Sequence, residues 1–266
     1  MAENTNSSKS LTIRAGQGTL SFLVKAVDGT FSFIPYEVKS EMSLAANLRE
    51  AFKTLPELTD GVENTTLMVS TPIVLLPQEE FDTIDEDLDI EAVYSSVMTG
   101  HKGEEKIVKQ MSTLNAMGIF TINSDLHMVV TDNCPNVEVC NVMYPIWKHL
   151  YNRYYQSGQH RKLFAYFHDK TVDVCQFERG RVRFANSFDA THAHDALYYI
   201  LFVWKQLGMN QEEDDLFVIG DMPHEKWLRG RLQSYVTRLY DINPSADLNR
   251  SPLAEVNGMP FDMMIG

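Results

Sequence analysis

The order of elements implied by the apolar pattern constrains this chain most, because the same order occurs twice. Apolar alternation in "LTIRAG", "LSFLVKAV" and "TFSFIPYEV" predicts three strands in succession. The turns "GQGT" and "VDGT" join them, and Asp28-Gly29 is a hairpin signal because tight primed turns need positive φ. A helix follows, capped by Ser40 or Ser43, with Leu44, Leu48, Ala51, Phe52 and Leu55 on one face and Pro56 as its stop. "TTLMVS", from Thr65 to Ser70, reads as a buried strand. From Lys162 the order restarts. "KLFAYFH" and "TVDVCQFE" are strands joined at Asp169-Lys170, and "RVRFANSF" is a third after a turn at Arg179-Gly180. A helix runs from His192 to Leu207 and ends at Gly208, "DLFVIG" is a fourth strand, and "HEKWLRGRLQSYV" is another helix. This is a duplicated α/β domain, a three-strand meander feeding a parallel extension. The expected division is a loose tail over 1–9, a first domain over 10–158 and a second over 159–266.

The middle of the chain carries weaker signals. "TPIVLLPQEEF" is apolar but broken by Pro72 and Pro77. "DIEAVYSSVM" predicts a helix, and "MGIFTI" and "LHMVVT" predict strands. "VCNVMYPIWKHLYNRYYQSG" predicts one long helix, with Pro145 kinking it or marking its first turn.

Composition narrows the function classes. A chain of 266 residues, 44% hydrophobic, buries a real core. Its net charge of −13 argues against duplex binding, which needs clustered Lys and Arg, and against an anionic membrane surface. The acidity concentrates between Lys53 and Lys102, where no Lys or Arg occurs. Cys134, Cys140 and Cys175 form no CxxC pair and read as reduced thiols of a cytoplasmic protein. "MAENTNSSKS" lacks the apolar stretch of a signal peptide, and "ALYYILFVW" is too short to span a bilayer.

Residues 163–236, with three meandering strands, a helix and then "LFVIGDMPHEKWLRGRL", resemble the second domain of actin-like ATPases, especially their pilus-assembly and cell-division branch. The resemblance implies an actin-like ATPase (ribonuclease-H-like) fold with two mixed sheets flanked by helices. It also implies where a nucleotide would sit. The family's adenosine-contacting strand ends in paired glycines; here the matching positions are Gly220 and Asp221. The family's first hairpin opens with a metal-holding aspartate; the nearest position here is Arg14, with Gly16 and Gly18 kept in the turn. The second hairpin carries aspartate, any residue, glycine and threonine in the family. Here "AYFHDKTVDV" has no glycine, Thr171 matches the threonine, and Asp169 sits in the turn. The whole chain is also similar to an uncharacterised bacterial family of this fold in which "PFD" recurs near the C-terminus, here Pro260-Phe261-Asp262.

Each candidate site has a plain structural reading beside it. Gly16 and Gly18 read as a hairpin turn, with an anion contact as the alternative. Arg14 can touch a phosphate but cannot ligate a cation. Asp85, Asp87 and Asp89 have calcium-loop spacing, but Ile90 stands where the loop needs glycine and Ser96 where it needs glutamate. That stretch therefore reads as a solvated acidic surface or a docking patch. In "THAHD", Thr191 as a cap with Asp195 in the first turn explains the letters better than a metal site does. Arg179, Arg181 and Arg183 alternate on one strand face, a surface for an acidic partner or simply a solvated face. Met259, Met263 and Met264 read as packing or adaptable contact surface.

The functional expectation is a non-catalytic scaffold or assembly factor with no cofactor and no metal, a protein partner and self-association left open. The alternative is an ATP-binding protein or ATPase that holds ATP with Mg²⁺ through Gly220, Asp221, Gly16, Gly18, Asp169 and Thr171.

Overall fold

A computed structural model describes residues 8–83, 90–98, 100, 103–156, 160–243, 251–256 and 258–266. The acidic triplet Asp85, Asp87 and Asp89 and the expected domain division at 158/159 lie outside the described residues.

Two five-stranded mixed sheets carry the architecture, and their orders match. Strands β1 (Ser10–Ala15), β2 (Leu20–Lys25) and β3 (Phe31–Tyr36) form the first meander. Helix α1 (Leu44–Thr54) then crosses to β4 (Asn64–Val69), and β8 (Val137–Asn141) completes the order β3-β2-β1-β4-β8. In the second sheet β9 (Lys162–His168), β10 (Thr171–Glu178) and β11 (Arg181–Asp189) form the meander. Helix α6 (Ala193–Gln206), β12 (Asp215–Gly220), α7 (Glu225–Gln233) and β13 (Arg238–Asp241) follow, giving the order β11-β10-β9-β12-β13. In both sheets the meander pairs antiparallel and the last two strands add in parallel. A third sheet is inserted between β4 and β8. It contains β5 (Ile73–Pro77), β6 (Glu105–Met111) and β7 (Ala116–Ile122) in the order β5-β7-β6, with α2 (Gln78–Thr83) and α3 (Ile90–Val97) beside it. Helices α4 (Ser124–Asn133) and α5 (Met143–Gln156) flank β8, and α8 (Phe261–Ile265) ends the chain against α5.

Strand β9 shows how the halves join. Its side chains alternate between two cores: Leu163, Ala165 and Phe167 pack under α6 and α7, while Phe164 and Tyr166 face the large core shared with the first sheet. A strand buried on both faces reads as a continuous apolar run, which is why "KLFAYFH" shows no polar alternation. Met259 and Met263 are buried in the shared core, and Met264 packs against it.

Several local expectations are corrected. "LHMVVT" lies in helix α4, not a strand. Asn123 caps that helix by accepting the Leu126 N–H at 3.0 Å, and Leu126, Val129 and Val130 then bury one face. The "long helix" from Val139 is two elements, because Val139 to Asn141 pair with β4 as strand β8. Helix α5 begins only at Met143, with Pro145 in its first turn. Strands β6 and β13 and helix α8 were not anticipated. Ser43, not Ser40, caps α1, accepting from Ala46 N. At α6 the cap position is His192, whose side chain makes no capping bond, while Thr191 donates its N–H to Asp189. Arg179 stands in the turn before β11 with φ +50°, so it does not share a strand face with Arg181 and Arg183. Gly29 has φ +85° in its hairpin turn, as that turn requires. Among the described residues no helix is long and apolar enough to cross a membrane.

Candidate functional site

The two N-terminal hairpins of the two sheets point at each other, and Arg14 lies between them. It sits at the end of β1 and is buried, 3% exposed. A buried guanidinium needs carboxylates on both sides, and it has them. Its Nε donates to Asp262 Oδ1 at 2.8 Å and its Nη2 to Asp262 Oδ2 at 2.8 Å, a two-point fork. On the other side Nη2 donates to Asp169 Oδ2 at 2.7 Å and Nη1 to Asp169 Oδ1 at 3.2 Å. Burial alone would disfavour the charge; the carboxylates of Asp262 and then Asp169 outweigh it and raise the arginine pKa. Tyr166, fully buried, donates its hydroxyl to Asp262 Oδ2 at 2.9 Å.

Asp169 is also held from its own hairpin. His168 Nδ1 lies 3.2 Å from its Oδ2, and Thr19 Oγ1 donates to its Oδ1 at 2.8 Å. Burial opposes the carboxylate, but His168 and Arg14 hold its pKa far below the usual range. His168 Nε2 meets Asp173 Oδ2 at 2.5 Å. Burial disfavours the imidazolium; the bonds to Asp169 and Asp173 overcome it and push His168 up to about 9. Ser70 Oγ stands 3.3 Å from His168 Nδ1, so a serine, a histidine and an aspartate adjoin. An imidazolium held by two carboxylates has no free base lone pair, so the trio is not arranged as a nucleophilic triad.

Above this cluster lies a cleft of about 940 Å³. Of the residues expected at a nucleotide site, Gly18, Asp169, Gly220 and Asp221 line it. Gly16 does not; it faces the protein's own anion instead. A Cβ there would stand 2.3 Å from Asp169 Oδ1 and 2.1 Å from Thr19 Oγ1. Its N–H is already bonded to Thr19 O at 2.9 Å. The glycine turn is therefore a hairpin that lets Asp169 come close. Gly18 has φ +74° with open space around it, the requirement of a turn. Thr171 donates to His168 O at 2.9 Å and lies off the cleft lining. Gly220 has φ +84°, and a Cβ there would meet Phe167 O at 2.1 Å, so β12 needs glycine for its own packing on β9. The cleft's other arginine, Arg229, is taken by Asp241 at 2.5 Å and Glu225 at 3.0 Å.

This donor set suits neither Mg²⁺ nor a polyphosphate. Of the hairpins' two clustered carboxylates, Asp173 is engaged by His168 and does not line the cleft, and Asp169, which does, has oxygens that already accept from Arg14 and Thr19. Both arginines that line the cleft are paired with carboxylates. The three cysteines are buried free thiols; burial raises all of them, Cys140 to about 12, so none is a poised thiolate. His194 of "THAHD" packs on Trp227 with ring centroids 4.2 Å apart.

Sequence reasoning found Arg14 as a departure and "PFD" as a family mark, but not that the two meet. His168, Asp173 and Tyr166 were missed. The available signal was Asp262 itself, a lone acid in the apolar stretch "GMPFDMMIG", which once buried demands a cation.

A protein of unknown function with an actin-like ATPase fold from Bacteroides thetaiotaomicron VPI-5482 superposes with a TM-score of 0.81 at 24% identity, over 92% of this chain and 95% of that one. The PilM-PilN type IV pilus biogenesis complex matches with a TM-score of 0.56 at 12% identity, over 97% and 95%. The protein has the actin-like ATPase fold. Residues 1–239 match the family model described as "Protein of unknown function (DUF3822)". No curated protein matches the chain.

Proposed function

The chain belongs to the family "Protein of unknown function (DUF3822)", and we propose that it is a non-catalytic scaffold or assembly factor built on the actin-like ATPase fold, with a vestigial nucleotide cleft. One observation carries the reading. Where the resemblance calls for a metal-holding aspartate stands Arg14, and it spends its guanidinium on Asp169 and Asp262. Two hairpins that would otherwise converge on phosphates grip each other. Opening the clasp to admit a ligand would strand a buried charge, which costs several kcal/mol, about 3–5. The remaining vestigial positions, Gly16, Gly18, Gly220 and Thr171, each have a structural duty that explains them. A scaffold works through a protein partner, and the fold neighbour PilM is itself found in a complex with PilN. A cytoplasmic location belongs to the same proposal.

A second reading, an ATP-binding protein with atypical ligands, is favoured by the size of the cleft and by Gly220 and Asp221 on its wall. A thermal shift with Mg-ATP, Mg-ADP and buffer at millimolar ligand separates the two. Ligand at ~100 times its Kd adds about 2.7 kcal/mol, a resolvable rise in Tm. The scaffold reading expects no Mg²⁺-dependent rise; a clear one would establish the second reading instead.

A further inference from the structure

We infer that the outer face of helix α6 is an interface with a second copy of this chain, the two helices packing antiparallel about a two-fold axis at the level of Ile200. A helix that covers a sheet normally keeps a polar outer face. Helix α1, which follows the first meander, does so: its exposed residues are Arg49, Lys53 and Thr54. Helix α6 follows the second meander in the matching place and does not. Its run "ALYYILFVW", from Ala196 to Trp204, has no charged or amide side chain on any side. Ala196, Ile200, Val203 and Trp204 are buried in the core of the second sheet. Tyr198 and Phe202 point outward, 60% and 44% exposed, with their rings stacked 5.9 Å apart. The topology does not demand these rings, since α1 fills its place without them. The patch also extends sideways. Tyr199 meets Tyr198 at 5.3 Å and stacks on Phe188 of β11 at 4.6 Å, and one turn before Tyr198 the His194 ring packs on Trp227 of α7. A contiguous exposed aromatic surface marks a site of interaction.

The symmetry of the charges identifies the occupant. At about 100° per residue, Asp195, Tyr198, Phe202 and Lys205 share an arc of about 80° of the helix. All four are exposed. Ile200 stands midway between Tyr198 and Phe202, and also midway between Asp195 and Lys205. A two-fold axis at that level, perpendicular to the helix, exchanges the two ends. It sets Tyr198 beside the partner's Phe202 and Asp195 beside the partner's Lys205, and each relation occurs twice. A parallel arrangement would instead bring Asp195 to Asp195 and Lys205 to Lys205. Neither charged side chain has a hydrogen bond or ion pair among the described residues, so the new pairs displace none. Opposed helix dipoles favour the same orientation.

No residue of α6 lines the cleft, so the inference goes beyond the scaffold reading and is tested apart from nucleotide binding. One helix pair with flanking rings is a small interface, and the expected dimer is weak, with a Kd of about 1–100 μM. Sedimentation velocity of the whole chain from about 1 to 300 μM should show a reversible monomer–dimer equilibrium. Tyr198→Ser with Phe202→Ser is expected to weaken it at least about a hundredfold, because each ring is lost twice. Asp195→Lys and Lys205→Asp, both at exposed positions, should each weaken self-association about threefold to tenfold by placing like charges together. Mixed, the two single variants should form a heterodimer as tight as the native dimer, which only the antiparallel register predicts. Circular dichroism confirms that each variant is folded. A monomer throughout the concentration range would overturn the inference and leave the face to a different protein. So would a dimer that survives loss of both rings, or a mixture that associates no better than its components.

Discussion

The two hairpins at the mouth of the cleft occupy matching places in matching sheets, yet they are built from opposite chemistry. The first, between β1 and β2, turns through Gly16 and Gly18 and supplies a cation, Arg14. The second, between β9 and β10, turns through Asp169 and Lys170, both at positive φ without a glycine, and supplies Asp169, His168 and Asp173. In a duplicated fold the corresponding hairpins approach one another. When both carry ligand-binding groups, that approach encloses a ligand. When one turns cationic and the other anionic, the approach becomes a bond. Asp262, delivered from the far end of the chain, seals the arginine on its other side. On the proposed scaffold reading, this difference is how a binding cleft is retired without changing the fold: the two halves are given complementary charges.

The largest way to break this arrangement is Asp262→Ala. It leaves the buried Arg14 with one carboxylate and the Tyr166 hydroxyl without its acceptor, and is expected to cost about 3–5 kcal/mol in denaturant unfolding. A pH titration probes the second hairpin. His168 has its pKa raised from 6.5 to about 9 in the folded protein, so its contribution is complete below pH 6.5 and fades as pH rises toward 9. Stability should fall across that window by up to ~1.4 kcal/mol per pH unit, and His168→Asn should remove the fall. Asp169, held low, acts oppositely: its contribution is lost as pH drops below about 3.8.

Gly16→Ala against Gly18→Ala sharpens the comparison inside the first hairpin. At Gly16 the added methyl collides with Asp169 and Thr19, and about 1–3 kcal/mol should be lost. At Gly18 only the left-handed φ opposes it, about 1–2 kcal/mol, and the two losses differ in kind: only the first should weaken with Asp169→Ala in the background. The smallest effect compares the helices after each meander. Ser43 caps α1 while His192 leaves α6 uncapped, in extended backbone that suits a cap. Ser43→Ala should cost about 1 kcal/mol and His192→Ser should add up to about 1 kcal/mol, both read as shifts in the denaturation midpoint.

The meanders were legible because a strand with one buried face, or a tight turn such as Asp28-Gly29, writes its own local pattern. The middle of the chain was legible only in part: "MGIFTI" reads correctly as strand β7 of the inserted sheet, but its neighbours do not. Leu126, Val129 and Val130 form an apolar run that suits strand or helix equally, and the capping bond of Asn123 decided for helix. Val139 to Asn141 became strand β8 only because β4 stands ready beside them. Strands β6 and β13 are sheet edges whose pairing partners, not their residues, define them. At the site, Arg14 was visible as an anomaly and Asp262 as a motif, but the bond spans 248 positions of sequence, and no local period encodes it.

A double-mutant cycle between Arg14 and Asp262 tests the clasp most directly. Arg14→Met and Asp262→Leu each strand a buried charge, whereas the double variant removes both and leaves Asp169 to His168 and Thr19. If the clasp holds the hairpins as described, each single variant should be strongly destabilised. The double should then be more stable than the sum of the losses predicts, by about 2–3 kcal/mol. Strict additivity of the two losses would contradict it, since Arg14 and Asp262 would then not depend on each other at all.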